Sequence, residues 1–187
     1  ALTSTGILSG GMLSGYELMV GRRNSAVMTI SSNALLNLTT FKLGELAGFT
    51  TVCNLDGGVI ACNYIASRCS NPASATSILN LNGGTIRAKS VANIIGAYGS
   101  GTTSYLTTIN VKSGGAVIDT QSFAVGIPQI LGHDPDLGAT PDGGLTKQGT
   151  GTLSLTTNNT FTGAVAVEAG TLKLGVANTL AADVSAF

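Results

Sequence analysis

Apolar and polar residues alternate with a period of two in four segments of the chain, and each segment passes through a two-residue turn before an apolar run resumes. The segments are AVMTISSNALL from Ala26, TVCNLDGGVIA from Thr51, SILNLNGGTIR from Ser77 and TINVKSGGAVI from Thr108. Alternation places every second side chain on one face of a strand. Each segment therefore predicts two strands joined by a corner.

The corners repeat along the chain. They fall at Ser32-Asn33 and at three Gly-Gly pairs, and an earlier pair, Gly10-Gly11, extends the series towards the N-terminus. Glycine supplies the positive φ that a sharp corner needs, so the predicted structural turn residues are Gly57, Gly58, Gly83, Gly84, Gly114 and Gly115. The spacing of roughly 22 to 31 residues is typical of a solenoid whose coils carry insertions of different length.

The same comparison of segments predicts the core. Before the corner, the inward positions are Met28, Ile30, Cys53, Leu55, Leu79, Leu81, Ile109 and Val111; after it, they are Leu35, Ile60, Ile86 and Val117. One coil cannot shield its own apolar face, but neighbours about 4.8 Å away can cover it. We therefore expect an all-β solenoid of about seven or eight coils.

Composition agrees with a single elongated domain. Of 187 residues, 43% are apolar and only 10% are charged, which is the opposite of a disordered chain. Nine basic residues balance nine acidic ones. Arg22 and Arg23 are the only adjacent basic pair, so the clustered positive charge that nucleic acid requires is missing. No apolar run reaches the roughly 18 residues that a membrane-spanning helix needs, so we expect no membrane span.

Three cysteines, an odd number, lie close together in the sequence. Cys62 and Cys69 are a candidate disulfide that would close the short CNYIASRC loop in an oxidising compartment, whereas Cys53 is expected to be a buried free thiol. A zinc site is disfavoured because no CxxC pair occurs and His133 is the only histidine.

One polar loop concentrates candidate chemistry. The stretch HDPDLGATPDGG gathers His133, Asp134, Asp136 and Asp142, whose oxygen atoms are of the type that binds Ca²⁺. The regular spacing of a calcium loop is absent, and Asp beside Pro and Gly is ordinary turn chemistry. We predict no metal site and no cofactor.

Catalytic pairs are also missing from the sequence. A polysaccharide-cleaving enzyme would need carboxylates paired on one face, but the remaining candidates are scattered singly: Glu45, Asp56, Asp119 and Glu168. No GxSxG motif supplies a serine nucleophile. The sequence therefore predicts a protein that is not an enzyme and has no catalytic residues.

The stretch GLTKQGTGTLSLTTNNTFTGAVAVEAGTLKL, from Gly144, has a distinctive order of elements. It opens with Gly-Leu-Thr-Lys, continues through a Gly-Thr-Leu-Ser-Leu strand and an Asn-Thr-Phe-Thr-Gly turn, and closes with Val-Glu-Ala-Gly-Thr-Leu. It resembles the passenger-associated strand repeat of bacterial autotransporters and related surface proteins. The resemblance implies a right-handed parallel β-helix, exported to the cell exterior, that acts as a stalk, an adhesive surface or a self-associating fibre.

These observations divide one elongated domain into three parts. Residues 1–130 are expected to form coils with Gly-Gly corners, residues 131–144 a polar loop, and residues 145–187 a repeat that continues the same solenoid. The function expected is that of an extracellular structural protein whose partner is another copy of itself, forming a filament or sheath. By position, the expected contact residues near the two ends are Ile7, Leu8, Met12, Leu13, Val165, Val167, Leu172 and Leu174.

An adhesin is the alternative. Exposed Thr, Asn and Ser ladders could contact glycans or host surfaces, together with aromatic rings that lie under the apolar face of a sugar. The residues to examine for that role are Tyr16, Tyr64, Tyr98 and Tyr105. The competing interpretation is that these rings anchor loops against the rod.

Overall fold

The protein is a stack of parallel β-strands wound as a solenoid, with almost no helix. The computed structural model describes residues 3–68, 75–90, 93–96, 105–175 and 184–186. A short 3-10 helix spans Pro135–Leu137. The strands, in chain order, are β1 Thr3–Leu8, β2 Met12–Val20, β3 Ser25–Leu43, β4 Thr50–Cys62, β5 Tyr64–Ser67, β6 Thr76–Leu81, β7 Thr85–Ala88, β8 Thr108–Val111, β9 Ala116–Asp119, β10 Ala124–Ile127, β11 Gly132–His133, β12 Leu145–Gln148, β13 Thr152–Leu155, β14 Val165–Val167, β15 Thr171–Leu174 and β16 Val184–Ala186.

Successive turns of the chain place equivalent strands side by side. One face of the stack follows the order β1-β3-β4-β6-β8-β11, and the next face follows β2-β3-β4-β7-β9-β12-β14-β16. A separate sheet, β10-β13-β15, lies on a third face. These pairings are parallel, because the chain runs in the same direction each time it comes back to a face of the stack. The all-β solenoid expected from the sequence is confirmed.

The described residues form about five complete turns, flanked by the partial turns of β1 with β2 and of β14 to β16. The expected count of seven or eight coils therefore differs slightly from the structure. The reason is that several turns carry insertions: Asn110 bonds to Asn80 across 30 residues, whereas Asn54 bonds to Thr29 across 25. Longer turns consume more chain without adding length to the stack.

The first predicted core column is confirmed. Ile30 pairs in register with Leu55, Leu55 with Leu81, and Leu81 with Val111, and all four side chains are fully buried. Met28, at the N-terminal end of this set, is only partly buried and packs against the core. Apolar residues two positions apart therefore build a continuous interior along the stack.

The second predicted core column, which follows the corner, is wrong at two of its four positions. Ile60 and Ile86 point inward as expected, but the other inward residues are Leu36 and Ile118, the neighbours of Leu35 and Val117. The strand β3 shifts register between Ser32 and Leu35. A shift of one residue moves a side chain to the opposite face, and the segment alignment did not contain that extra residue.

The Gly-Gly corners are places of close backbone approach. Gly58 has a φ of +71°, which a residue with a Cβ rarely adopts. At Gly84 the constraint is space: a Cβ there would lie 2.5 Å from the carbonyl oxygen of Gly57 and 2.5 Å from Leu55 Cγ. Successive corners thus stack directly on one another and leave no room for a side chain.

The substitution Gly84→Ala tests this stacking. We expect it to lower the free energy of unfolding by about 1–3 kcal/mol, because the added methyl group meets backbone that cannot move aside cheaply. Chemical denaturation followed by circular dichroism measures the change. The control is Gly6→Ala, where nothing lies within 4 Å of the added Cβ. Equal stability of the two variants would contradict the prediction.

Candidate functional site

The first coil, defined as strands β1 and β2, presents apolar side chains to solvent. Ile7 is 71% exposed and Met12 is 66% exposed, while Leu13 and Tyr16 are also exposed. Leu8 is partly buried and packs against the core. Three of the four contact residues expected in the first coil, Ile7, Met12 and Leu13, are therefore exposed.

The contrast with the next turn shows that this exposure arises from position. Leu13 is 43% exposed, whereas Leu36, its partner in β3, is fully buried under β4. Within the described residues, β1 and β2 pair on one side only, with β3. The first coil thus offers unpaired backbone edges beside apolar side chains, a combination that favours pairing with a further strand.

The residues expected at the other end differ among themselves. Val165 is fully buried and pairs with Leu145 on one side and Val184 on the other, so it lies inside the stack. Leu172 is partly buried and packs against the core. Val167 is half-buried, and Leu174 is 39% exposed. Of these four positions, Leu174 offers the most accessible apolar surface.

A ladder of polar side chains runs along the outer face of the first sheet. Asn54 Nδ2 donates to Thr29 Oγ1 at 3.4 Å, Asn80 Nδ2 donates to Asn54 Oδ1 at 2.8 Å, and Asn110 Nδ2 donates to Asn80 Oδ1 at 3.0 Å. Every bond points towards the preceding turn. The sequence led us to expect Thr, Asn and Ser ladders but did not identify these hydrogen bonds, although Thr29, Asn54 and Asn80 occupy the same place in their aligned segments.

The polar loop is closed by a histidine clamp, made of His133, Asp142 and Thr162. His133 Nδ1 lies 2.8 Å from Asp142 Oδ2 and 3.1 Å from Thr162 Oγ1, and its Nε2 lies 3.1 Å from the carbonyl oxygen of Gly138. A carboxylate and a carbonyl oxygen can only accept hydrogen bonds. Both ring nitrogens must therefore donate, and the geometry favours the protonated imidazolium.

The electrostatics of the clamp agree with its geometry. The hydrogen bond that His133 donates to Asp142 raises the pKa of His133 above its ordinary value, burial lowers this pKa, and the bond to the carbonyl oxygen of Gly138 raises it further. Burial alone would raise the pKa of Asp142, but hydrogen bonds from Thr162, His133 and nearby backbone amides lower it. Asp134 also faces the ring and is itself paired with Lys112.

Lys147, in the Gly-Leu-Thr-Lys opening of the repeat, is fully buried. Its Nζ donates to the carbonyl oxygens of Gln148 at 2.8 Å, Gly149 at 2.7 Å and Ala169 at 3.0 Å. Burial lowers the pKa of its ammonium group, and the negative charge of Asp119 opposes that change. Lys147 thus joins the corner that follows β12 to the corner one turn later, a role that the sequence reasoning did not assign.

Each of the carboxylates weighed as a candidate catalyst bonds to a neighbouring side chain. Glu45 bonds Arg22 at 2.8 Å, Asp56 accepts from Asn82 at 3.0 Å, Asp119 pairs with Arg87 at 3.1 Å, and Glu168 accepts from Gln148 at 3.0 Å. No group of three or more His, Cys, Asp or Glu residues within the described residues could hold a metal ion.

The cysteines and tyrosines fall into different environments. Cys53 is a buried free thiol, and Cys62 is also buried, where burial raises the pKa of its thiol form to about 12. Cys69 lies outside the described residues, as does Tyr98, so the candidate disulfide stays a prediction. Tyr64 is buried, whereas Tyr16 is 75% exposed on the first coil and Tyr105 lines an open cleft.

Comparison with known proteins gives one match. Residues 145–174 match the Passenger-associated-transport-repeat family. Because this repeat continues a β-solenoid, the two findings support the autotransporter passenger repeat family, and the family suggests a surface or secreted protein. No curated protein and no solved structure matches the chain. Among the described residues, no helix has the length and apolar character needed to cross a membrane.

The histidine clamp predicts a pH-dependent stability. The pKa of His133 is raised in the folded chain. The stability that the protonated histidine contributes is therefore fully present below its unfolded pKa of about 6.5, and it is lost as pH rises through the folded pKa. We expect the stability difference between wild type and His133→Gln to be larger at about pH 5.5 than at about pH 8.5. Urea denaturation of both chains across this window measures it. A stability difference that does not change with pH would show that the charge of His133 does not stabilise the fold.

The buried lysine gives a second prediction for this region. Lys147→Met should lower the free energy of unfolding by at least about 2 kcal/mol, because buried carbonyl oxygens lose their donor. The matched control is Lys173→Met in β15, where the lysine is exposed and the change should stay within about 0.5 kcal/mol. Both are measured by guanidinium denaturation, and a neutral Lys147→Met would show that the lysine does not stabilise the corners.

Proposed function

We propose that the chain is a non-catalytic structural subunit whose first coil pairs with a second copy, end to end or by strand exchange, to build an extracellular filament or sheath. The observation that carries the proposal is the exposure of Ile7, Met12 and Leu13 on strands that pair on one side only. A further strand would cover these side chains and complete the hydrogen bonds of β1 and β2.

The first coil also lacks the usual protection against such pairing. Edge strands that avoid association commonly carry several charges or prolines. Strands β1 and β2 contain neither proline nor any charged residue except Glu17, and Glu17 is already paired with Lys42 at 2.5 Å. The formal net charge of the chain is zero, so long-range repulsion between copies is weak. The chemistry of this edge therefore favours self-association.

The absence of catalysis is part of the proposal. It is supported by the carboxylates weighed as candidate catalysts, which are engaged with neighbouring side chains, and by the passenger repeat, whose family suggests a role at the surface or outside the cell. Such repeats supply a scaffold, and the surface of the scaffold decides what it contacts.

A second candidate function is that of an adhesin or passenger stalk module that binds glycans or host surfaces. The specific observation in its favour is the cleft lined by Tyr105, since an aromatic ring beside hydroxyl groups is suited to a sugar. The two functions are compatible, because self-association uses the first coil and the cleft lies on the side of the stack.

Self-association is tested by sedimentation velocity and electron microscopy over a concentration series. We expect the wild-type mass to rise with concentration and to give rods longer than one chain. The double variant Ile7→Lys, Met12→Lys should remain monomeric, because two charges on an exposed edge oppose strand pairing. The matched control is Leu46→Lys, at a residue that is 44% exposed outside the first coil.

Two results would overturn the proposal. One is a wild-type chain that stays monomeric throughout the series, which would leave the first coil to some other occupant, such as a further coil of a longer chain. The other is a double variant that associates as strongly as wild type and Leu46→Lys. Circular dichroism and thermal melting of each variant show that the fold is retained.

A further inference from the structure

An open cleft of about 420 Å³ lies where three successive turns of the solenoid meet. The first turn contributes Tyr105 and Thr108, the second Pro128 and Ile130, and the third Thr157. The backbone bond from Thr160 N to the carbonyl oxygen of Leu131, 3.0 Å long, holds the third turn against the second. The cleft is thus built into the stack.

The walls of the cleft are fixed by specific contacts. The side-chain amide of Gln129 accepts from Leu106 N at 2.9 Å and donates to the carbonyl oxygen of Leu106 at 2.7 Å. The Tyr105 ring lies against Gly96, where an added Cβ would be 3.1 Å from Tyr105 Cδ1. A ring held in this way requires little further ordering when a ligand contacts it, which favours binding.

The lining combines apolar surface with hydroxyl groups and carries no formal charge. Tyr105, Pro128 and Ile130 supply the apolar part, and Ile130 is 51% exposed. Thr108 supplies a hydroxyl group, and the side chain of Thr157 forms part of the wall. A charged ligand would find no counter-charge among the described lining residues, whereas a neutral ligand with many hydroxyl groups and an apolar ring face matches both parts of the surface.

Thr157 gives independent evidence that a partner is missing. Its Oγ1 is buried and has no hydrogen-bond partner within the described part of the chain. A buried hydroxyl without a partner is costly and uncommon in proteins. Rotation of this hydroxyl into the cleft would break no bond and would allow it to meet a polar ligand.

We propose that this cleft binds a neutral oligosaccharide, with one sugar ring against Tyr105 and a sugar hydroxyl bonded to Thr157. The inference rests on the second candidate function, adhesion, and is independent of self-association through the first coil. It names both the ligand class and the residues that contact it.

The test begins with an array of neutral oligosaccharides of glucose, galactose and N-acetylglucosamine, with sulfated and sialylated counterparts as anionic probes. The strongest neutral oligosaccharide is then titrated by isothermal calorimetry into wild type and variants. We expect Tyr105→Ala to weaken binding about tenfold or more, through loss of the ring contact. Leu46→Ala, at an exposed apolar residue that does not line the cleft, is the control and should bind as wild type does.

Thr157→Val separates binding from folding. Valine keeps the shape of threonine but removes the unpartnered hydroxyl, so the free chain should melt no lower than wild type. Affinity for the neutral oligosaccharide should nevertheless fall about fivefold, the loss expected for one hydrogen bond. A variant that is at least as stable yet binds less tightly cannot be explained by misfolding.

Three outcomes would overturn the inference: no oligosaccharide binds wild type, only anionic oligosaccharides bind, or neutral binding is unchanged in both Tyr105→Ala and Thr157→Val. Sedimentation of the same two variants is run in parallel. Self-association that persists while sugar binding is absent would reject the cleft and leave the structural function standing, and the reverse result would reject self-association alone.

Discussion

The structure depends on hydrogen bonds between the backbones of parallel strands in successive turns. A single turn has no partner for its own N–H and C=O groups, so each strand is stable only when the strand one turn away lies in register with it. Register in turn forces side chains into columns. The column from Ile30 to Val111 keeps apolar atoms together in the interior. The ladder from Thr29 to Asn110 does the same for polar groups outside, where each amide can bond to an equivalent group in the turn before it.

Corners are where this regular arrangement is most demanding. The backbone must turn sharply in nearly the same place in each coil, and backbone carbonyl and amide groups that leave the strand ladder need other hydrogen-bond partners. Glycine solves the first problem by removing the side chain. Two charged groups help to solve the second: Lys147 donates to three carbonyl oxygens, and Asp142 accepts from the backbone amides of Thr162, Gly144 and Gly163 while holding His133. These charged groups therefore stabilise the stack.

The two contacts that we propose use different kinds of surface. The first coil offers strand edges and apolar side chains that a neighbouring strand can extend, with little dependence on side-chain identity. The cleft beside Tyr105 offers a fixed shape, because three turns contribute to it and backbone hydrogen bonds between turns set their spacing. An edge suits assembly, whereas a shaped cleft suits recognition of a particular ligand. A rod can carry both surfaces because its ends and sides are physically separate.

Alternation, the recurrence of Gly-Gly and the repeat from Leu145 to Leu174 were sufficient to predict a β-solenoid, its corners and its first core column. These features depend on local rules: strand periodicity, the conformational freedom of glycine and the repeated need to bury one face. The sequence alone did not determine the register after the corner of β3, where one additional residue replaced Leu35 by Leu36 in the core. It also did not identify the clamp, the buried lysine or the cleft. Each of these joins residues about 20 or more positions apart, such as His133 and Thr162, and only the stacking of whole turns decides which distant side chains meet.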